Sequence, residues 1–258
     1  MSKEHKITKI FAIALAVVII SLILNIVFSI VINISGYNTK NAYYNKYDNL
    51  TELKIDTSTS KVIIKEGDEF IVSVDNATNK LKISENDGKL KVEDNKFSLS
   101  KKNTSIITIT LPTQLDKINI EIGAGTLECS SIIANDFELE LGAGKVNLSD
   151  VYFNETKIEG GAGEITVENS TLNNLKLDAG TGKVTIDGKI TGDSKIDSGI
   201  GEINLDLVGN DYNFILDKGI GKITINGNEQ SDETKLGTGE NKIKIDAGIG
   251  NITINTNK

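Results

Sequence analysis

The sequence predicts an all-β protein, a right-handed parallel β-solenoid of about eight coils of ~19 residues, preceded by one N-terminal transmembrane helix. Three observations support this prediction. A G-x-G unit recurs at a spacing of 19 residues, apolar and polar residues alternate on both sides of each unit, and residues 10–34 contain no charged side chain. Alternation with a period of two is typical of strands, and a fixed repeat indicates stacked coils that share one core.

The first element is the apolar segment of residues 10–34, which follows a tail of residues 1–9. At ~1.5 Å per residue it would be about 37 Å long as a helix, more than the ~30 Å hydrocarbon core of a bilayer. A cleaved signal peptide has an apolar stretch of roughly 7–15 residues and a small-residue cleavage site, and no clear A-x-A follows this segment. We therefore expect an uncleaved anchor; cleavage near Ser35 and Gly36 is the alternative.

Lysines flank this segment unequally, with three in residues 1–9 and the nearest later ones at Lys40 and Lys46. The bias favours a cytoplasmic tail, a juxtamembrane linker at 35–47 and an extracytoplasmic domain at 48–258 of a cell-membrane protein. Tyrosines cluster just after the segment, where aromatic rings favour the membrane interface. They are Tyr37, Tyr43, Tyr44 and Tyr47.

Four polar residues interrupt the apolar segment at a spacing of four, so a helix would carry them on one slowly drifting face. They are Ser21, Asn25, Ser29 and Asn33. An unpaired amide in hydrocarbon is costly, and Asn25 lies near the middle of the span. We therefore expect the anchor to associate with itself, or with another membrane protein, through this face.

The repeat occupies residues 121–258, and residues 48–120 are predicted to form an irregular cap and the early coils. The first glycines of the units are Gly123, Gly142, Gly161, Gly180, Gly199, Gly219 and Gly248. The second glycines are Gly125, Gly144, Gly163, Gly182, Gly201, Gly221 and Gly250. Each pair is interpreted as a structural corner, where glycine supplies backbone angles that other residues resist. A phosphate-binding loop is the alternative, but such a loop is usually present once.

Each unit places apolar residues three positions before, four after and six after its first glycine, as at Ile158, Ile165 and Val167. We expect these three columns to form the core. LKIDTSTSKVIIK at residue 53 resembles LKLDAGTGKVTID at residue 175 and adds an eighth, degenerate coil. The last spacing is 29 residues, which we interpret as one coil plus a ten-residue insertion, with the coils stacked in chain order.

Two other repeat classes do not fit the sequence. TLNNLKL matches the leucine-rich pattern once, but the neighbouring repeats do not and contain no helix-forming stretch. The calcium-binding nonapeptide repeat needs an aspartate two residues after the second glycine, where this chain has apolar residues such as Leu127 and Val146.

An acidic residue stands two positions before each corner, and stacked coils would align these residues into one column. Its members are Glu121, Glu140, Glu159, Asp178, Asp197, Asp217 and Asp246. One interpretation is a stripe that binds a cation or faces a partner. The other is a solvated face that is balanced by lysines two residues earlier, such as Lys157 and Lys195. A further column, three residues after the first glycine, alternates in sign and should stabilise the register.

Composition excludes several functions. The 258 residues have a net charge of −8, and all 28 basic residues are lysine, so the chain lacks the bidentate guanidinium forks used for phosphate and guanine. We expect no nucleic-acid partner. Cys129 is the only cysteine and His5 the only histidine, which leaves neither an intrachain disulfide nor a zinc site. No cofactor, metal or catalytic residue is predicted, and Cys129 is expected to be a buried apolar residue.

The serial G-x-G units, each followed by an alternating strand such as KVNL or EITV, resemble those of the bacterial putative-adhesin family of β-strand-repeat domains. The resemblance covers roughly residues 48–258. It implies a solenoid on the outer side of the membrane and, in some relatives, a link to envelope stress. We therefore expect a non-catalytic interaction surface for an envelope protein or glycan. The alternative function is a polysaccharide-active solenoid enzyme that uses paired carboxylates.

Overall fold

The computed structural model describes residues 41–95, 104–112 and 114–256. All of them belong to one compact unit, and every regular element among them is a strand. The all-β prediction is therefore confirmed for this part of the chain. The predicted span at 10–34 lies outside the described residues, as does its polar face of Ser21, Asn25, Ser29 and Asn33. Within the described ranges, no helix has the length and apolar character needed to span a bilayer.

The strands form one sheet. In chain order they are β1 (Asn41–Tyr47), β2 (Glu52–Glu66), β3 (Phe70–Ala77), β4 (Leu81–Asn86), β5 (Lys89–Asp94), β6 (Ser105–Leu111), β7 (Gln114–Ser130), β8 (Ile133–Ser149), β9 (Tyr152–Asn173), β10 (Leu175–Thr191), β11 (Asp193–Leu207), β12 (Tyr212–Ile220), β13 (Ile223–Ile225), β14 (Asn228–Gln230), β15 (Glu233–Leu236) and β16 (Asn241–Thr256).

The regular layers are long parallel strands that pair in register. Strands β7, β8, β9, β10 and β11 are consecutive neighbours in the sheet, and the second glycines Gly125, Gly144 and Gly163 lie opposite one another. Strand β2 pairs with β7 in the same register and places Ser60 opposite Gly125, as the degenerate coil predicted. The sheet is thus largely parallel, as expected. The right-handed sense of the coils stays a prediction.

The structure corrects the expected order of the last coils. Strand β16 pairs with β11 on one side and with β12 and β13 on the other, so the last coil in sequence is inserted before the preceding one. The four residues 208–211 link β11 to β12, whereas one or two residues link the earlier layers. Four extended residues reach about 13 Å, enough to pass two layers at ~4.8 Å each.

The N-terminal end repeats this arrangement. Strand β2 lies between β7 and a ninth layer, whose first half is β5 and whose second half is β6. The chain therefore inserts its first long strand, like its last, one layer inside the end of the stack. Residues 48–120, predicted as a cap and early coils, contain both of these layers.

Antiparallel strands cover both end layers. Strand β4 pairs with β5 and β3 with β6 at one end, while β15 pairs with β12 and β14 with β13 at the other. The segment of residues 226–239, within which the ten-residue insertion is predicted, contains β14 and β15 and so provides this second cap. Capping matters because an open parallel edge would offer unpaired backbone groups to other chains.

The structure also corrects the predicted linker at 35–47, because residues 41–47 form β1, which pairs antiparallel with β3. Residues 41–47 form a strand rather than a linker because two of the tyrosines predicted at the membrane interface contact the core instead. Tyr43 and Tyr47 pack against the hydrophobic core, and their hydroxyl oxygens lie 2.7 Å apart in a hydrogen bond.

The core is a stack of aligned apolar side chains. All three predicted columns are buried in every layer from β7 to β13 and in β16. Further inward columns complete the core, one of which lies five residues before the first glycine. The ring of Phe137, which belongs to that column, stacks on the ring of Phe153 in the adjacent layer, with centroids 4.2 Å apart. Ile122 and Leu141 belong to another inward column, directly before the glycines.

Replacing Ile158 by alanine should destabilise the protein strongly, because this side chain is fully buried in a central layer. Large-to-small core substitutions of this kind cost about 2–5 kcal/mol. Chemical denaturation followed by circular dichroism measures the loss. The control is Thr166→Ala on an outward-facing position of the same strand, where the change should stay within ~0.5 kcal/mol. Equal losses in both variants would contradict the inward assignment of Ile158.

Candidate functional site

The paired glycines sit where adjacent layers approach backbone to backbone. A Cβ atom on Gly161 would lie 2.3 Å from the carbonyl oxygen of Gly142, and one on Gly163 would lie 1.8 Å from that of Gly144. No ordinary contact is this short, so neither position accepts a side chain without displacing the neighbouring layer. The inward alternation also changes phase across the unit: Ile158 precedes Gly161 by an odd number of residues, and Ile165 follows it by an even one.

The two glycines of a unit are required for different reasons. Most second glycines have φ in the left-handed region, where L-residues are strained. They are Gly144, Gly163, Gly182, Gly221 and Gly250, with φ from 138° to 152°. The first glycines, such as Gly161, have no such angle. The unusual backbone angle expected from the sequence therefore explains why these second positions need glycine. Close contact with the next layer explains why both positions of a unit need it.

These two reasons can be separated by experiment. Gly161→Ala introduces the interlayer contact without a left-handed angle, and Gly227→Ala introduces strain at φ 79° with nothing within 4 Å of the new Cβ. We expect Gly161→Ala to cost about 3 kcal/mol, typical of severe overpacking, and Gly227→Ala to cost about 1 kcal/mol. Urea denaturation of both variants measures the difference. A Gly161→Ala protein as stable as the wild type would contradict the proposed contact.

The acidic residues before the corners form one column across the sheet, and the structure lengthens it. Asp56, the acidic residue that the degenerate coil predicts for this column, lies opposite Glu121. Strand pairing adds Glu93 at one end and Glu233 at the other, with one carboxylate per layer at a spacing of about 4.8 Å. In spatial order the column, named here the acidic column, is Glu93, Asp56, Glu121, Glu140, Glu159, Asp178, Asp197, Asp246, Asp217 and Glu233. Glu93 and Glu233 lie outside the glycine repeat, so only the pairing of the caps reveals them.

Lysines two residues earlier neutralise part of this column. Nζ of Lys157 lies 2.7 Å from Glu159, and Nζ of Lys244 lies 2.9 Å from Asp246. The hydrogen bond to Glu159 raises the pKa of Lys157 above its ordinary value. Lys195 pairs with Asp197 in the same way, and Lys54 pairs across layers with Glu121.

Other members of the column keep their carboxylates open. In the described part of the chain, no lysine lies within ion-pair distance of Glu140, Asp178 or Asp217. Glu140, Asp178 and Asp217 are exposed to solvent. Some carboxylates of the column are therefore balanced by lysine and others are exposed without an ion pair, and the interaction stripe stays a prediction.

A groove runs beside the acidic column. Its first section, of about 650 Å³, is lined by the column from Asp56 to Asp178 and by the first glycines from Gly123 to Gly180. A second section of about 610 Å³ continues to Asp217 and Gly248. One side of the groove carries the carboxylates, and much of the other is glycine backbone, with Ser58 in the glycine position of β2. A long ligand could therefore approach the backbone closely.

The column three residues past the first glycine has the alternating charges that the sequence predicted. Lys145 pairs with Glu164 at 2.6 Å, and Lys183 lies 3.7 Å from Glu202. The hydrogen bond from Lys145 lowers the pKa of Glu164. The alternation ends there, because the inserted β16 places Asn251 opposite Glu202.

Sequence reasoning missed a ladder of side-chain amides near the point where the chain enters each layer. The side-chain amide of Asn135 donates to Asp116, that of Asn154 to Asn135, and that of Asn173 to Asn154, at 3.2, 3.1 and 3.1 Å. Each bond joins residues 19 apart and ties one layer to the next. The signal was present as AND, FNE and LNN at the repeat spacing. The ladder lies at a different turn from the acidic groove.

Cys129 is buried in a core column beside Leu148, and burial raises the pKa of its thiol to about 12. At neutral pH the thiol is therefore protonated and shielded, which does not suit a nucleophile. In the described ranges, no group of three His, Cys, Asp or Glu side chains could hold a metal ion.

The folded protein should therefore resist alkylation at Cys129. We expect iodoacetamide at pH 8 to leave the native thiol unmodified and to label it fully in 8 M urea, where the thiol returns to its ordinary pKa. Mass spectrometry gives the labelled fraction. Rapid labelling without denaturant would place the thiol at the surface and contradict the core assignment.

Comparison with known proteins identifies the class of domain that these stacked layers form. The family model described as Toastrack DUF4097 matches residues 50–247, so the chain belongs to that family. No curated protein matches.

Solved structures with a similar fold include three bacterial proteins. A putative adhesin of Bacteroides fragilis is 14% identical over 84% of this chain and 98% of its own, with a TM-score of 0.49. A putative cell adhesion protein of Clostridium sporogenes is 15% identical over 84% and 100%, with a TM-score of 0.38. A putative lipid binding protein of Parabacteroides distasonis is 16% identical over 86% and 98%, with a TM-score of 0.40.

Proposed function

We propose that this chain is a single-pass cell-envelope protein whose β-solenoid is a rigid, non-catalytic interaction surface, adhesin-like or associated with envelope stress. Residues 1–9 form its cytoplasmic tail, 10–34 its anchor and 48–258 its extracytoplasmic part, as the uncharged apolar segment and the lysine bias favour. The partner is an envelope protein or glycan that contacts the acidic groove.

The observation that supports this proposal most strongly is the in-register acidic column beside bare glycine backbone. Exposed carboxylates such as Glu140 and Asp178 accept hydrogen bonds from hydroxyl or ammonium donors. Like charges one layer apart repel, so the column does not stabilise the fold by itself. A surface that repeats one hydrogen-bond-accepting carboxylate every ~4.8 Å suits an extended partner whose hydrogen-bond donors are regularly spaced.

A catalytic role fits the column less well. Carboxylate pairs that cleave glycosidic bonds need two carboxyl groups in different environments, one held protonated and one ionised. Here Glu140, Glu159 and Asp178 follow one another in adjacent layers and are all exposed to solvent, so burial does not set one carboxyl group apart from its neighbours. A turnover assay of the full chain on cell-wall glycans tests this alternative, because acid-dependent cleavage would overturn the non-catalytic function.

Site-specific photo-crosslinking in intact cells tests the groove as the contact surface. A photoreactive residue at Glu140 or Asp178 should capture a discrete partner, because both side chains line the groove and are exposed. The matched control carries the photoreactive residue at Thr166, an outward-facing position on the other half of a layer. Equal capture from all three positions, or capture from Thr166 alone, would contradict the groove as the binding surface.

We also propose that the anchor self-associates, or docks on another membrane protein, through the face that carries Asn25. Interhelical hydrogen bonds of this kind contribute about 0.6–2 kcal/mol. In a transmembrane association reporter that carries residues 8–36, Asn25→Leu should lower the signal and the neighbouring Ile26→Leu should not. Equal signals from the wild type and both variants would reduce the anchor to a tether.

A further inference from the structure

Strand β16 lies out of chain order in the sheet. It is the last strand described, yet it lies between β11 and β12, and both strands precede it in the chain. Its inward isoleucines are fully buried between the two layers. They are Ile243, Ile245, Ile252 and Ile254. Strand β16 therefore occupies a slot whose two walls are formed by other segments.

The contacts that hold β16 in this slot do not depend on its covalent link. Its backbone partners lie in β11, β12 and β13. Residues 237–240, which lead into it, form no strand and are tied to the start of β12 by backbone N–H groups of Gly239 and Glu240, which donate to Tyr212 and Asp211. The same β16 on a second copy of the chain could make every one of these contacts. Exchange of an identical element between copies costs little free energy when only a hinge changes.

The slot also selects its occupant. A Cβ at Gly250 of β16 would lie 1.5 Å from the carbonyl oxygen of Gly201, and one at Gly248 would lie 2.5 Å from that of Gly199. The inserted strand must therefore carry G-x-G in this register. It must also place apolar residues opposite Ile196 and Ile203, as β16 does.

We propose that β16 is exchanged between copies of this chain, so that the slot between β11 and β12 of one copy takes β16 of a second copy. Strand exchange then links neighbouring copies through a complete, parallel layer. This inference is independent of the partner proposed for the acidic groove. The ratio of own to exchanged strand depends on protein concentration relative to the effective concentration set by the hinge, which is in the mM range for short linkers.

The first experiment asks whether the slot accepts β16 in trans. Full-length chain with Gly250→Val, kept in mild detergent, cannot seat its own strand, because the branched side chain meets the Gly201 carbonyl. We expect it to bind a fluorescent peptide of residues 238–256 saturably and to gain thermal stability on binding. The matched peptide with Gly250→Val should not bind. The proposal is overturned if the variant chain neither binds the wild-type peptide nor is stabilised by it. This holds whether the variant chain is unfolded or has filled the slot by pairing β11 with β12.

The second experiment asks whether complete chains exchange the strand. Asn204 and Thr253 lie opposite each other in β11 and β16. One population carries Asn204→Cys and the other Thr253→Cys, both with Cys129→Ala, and the two are refolded together and oxidised. We expect a disulfide-linked dimer whose yield rises with protein concentration. Replacing Asn204→Cys by Thr166→Cys, on a distant layer, should abolish the dimer. No dimer at any concentration, or equal dimer with the Thr166→Cys chain, overturns exchange between copies.

Discussion

Close backbone contact between layers at the G-x-G units is the constraint on which the rest of the structure depends. A Cβ on any of these glycines would lie 1.5–2.7 Å from a carbonyl oxygen of the adjacent layer. The layers can approach this closely only when glycine lies beside glycine, or beside Ser58 and Ser60 of β2. This contact favours one register, since a slip would place side chains against the neighbouring carbonyls. The buried columns, the alternating charges and the amide ladder all follow from that register.

The same register aligns like charges. One carboxylate per layer contributes to the acidic column, where neighbouring carboxylates repel each other. Exposed ion pairs such as that of Lys157 with Glu159 contribute only ~0–1 kcal/mol each, so they offset little of this repulsion. The fold therefore tolerates the column rather than depending on it. Glu140, Asp178 and Asp217, which have no lysine partner in the described part of the chain, are among the members that a partner can reach without displacing an ion pair.

Local periodicity made much of this fold predictable. The glycine spacing and the alternation around Ile158 and Ile165 predicted strands, inward columns and the parallel stack. The order of the layers could not be predicted, because β11, β12 and β16 carry interchangeable columns. Ile196 could face Leu216 as well as Ile245. Only the four-residue link at 208–211, long enough to pass a layer, distinguishes the observed order.

The caps and the acidic site show the same division between local and distant information. The segments 69–74 (EFIVSV) and 105–111 (SIITITL) have the alternation that is typical of strands. Whether each one pairs in parallel or antiparallel depends on which edge of the sheet remains open. Glu93 and Glu233 join the acidic column only through that pairing, so alignment of the repeats could not find them. The position of Tyr43 and Tyr47 after the apolar segment predicts the membrane interface, whereas their alternation fits strand β1 of the structure.

The insertion of β16 between β11 and β12 distinguishes the structure from a stack of layers in chain order, and disulfide mapping tests it directly. In chains with Cys129→Ala, Asn204→Cys should form an intrachain disulfide with Thr253→Cys, because these residues are direct partners in β11 and β16. Thr224→Cys should form one with Thr253→Cys for the same reason. Asn204→Cys and Thr224→Cys, separated by the β16 layer, should remain unlinked at a separation of about 9.6 Å. An intrachain disulfide between these last two, without one between Asn204→Cys and Thr253→Cys, would contradict the inserted strand.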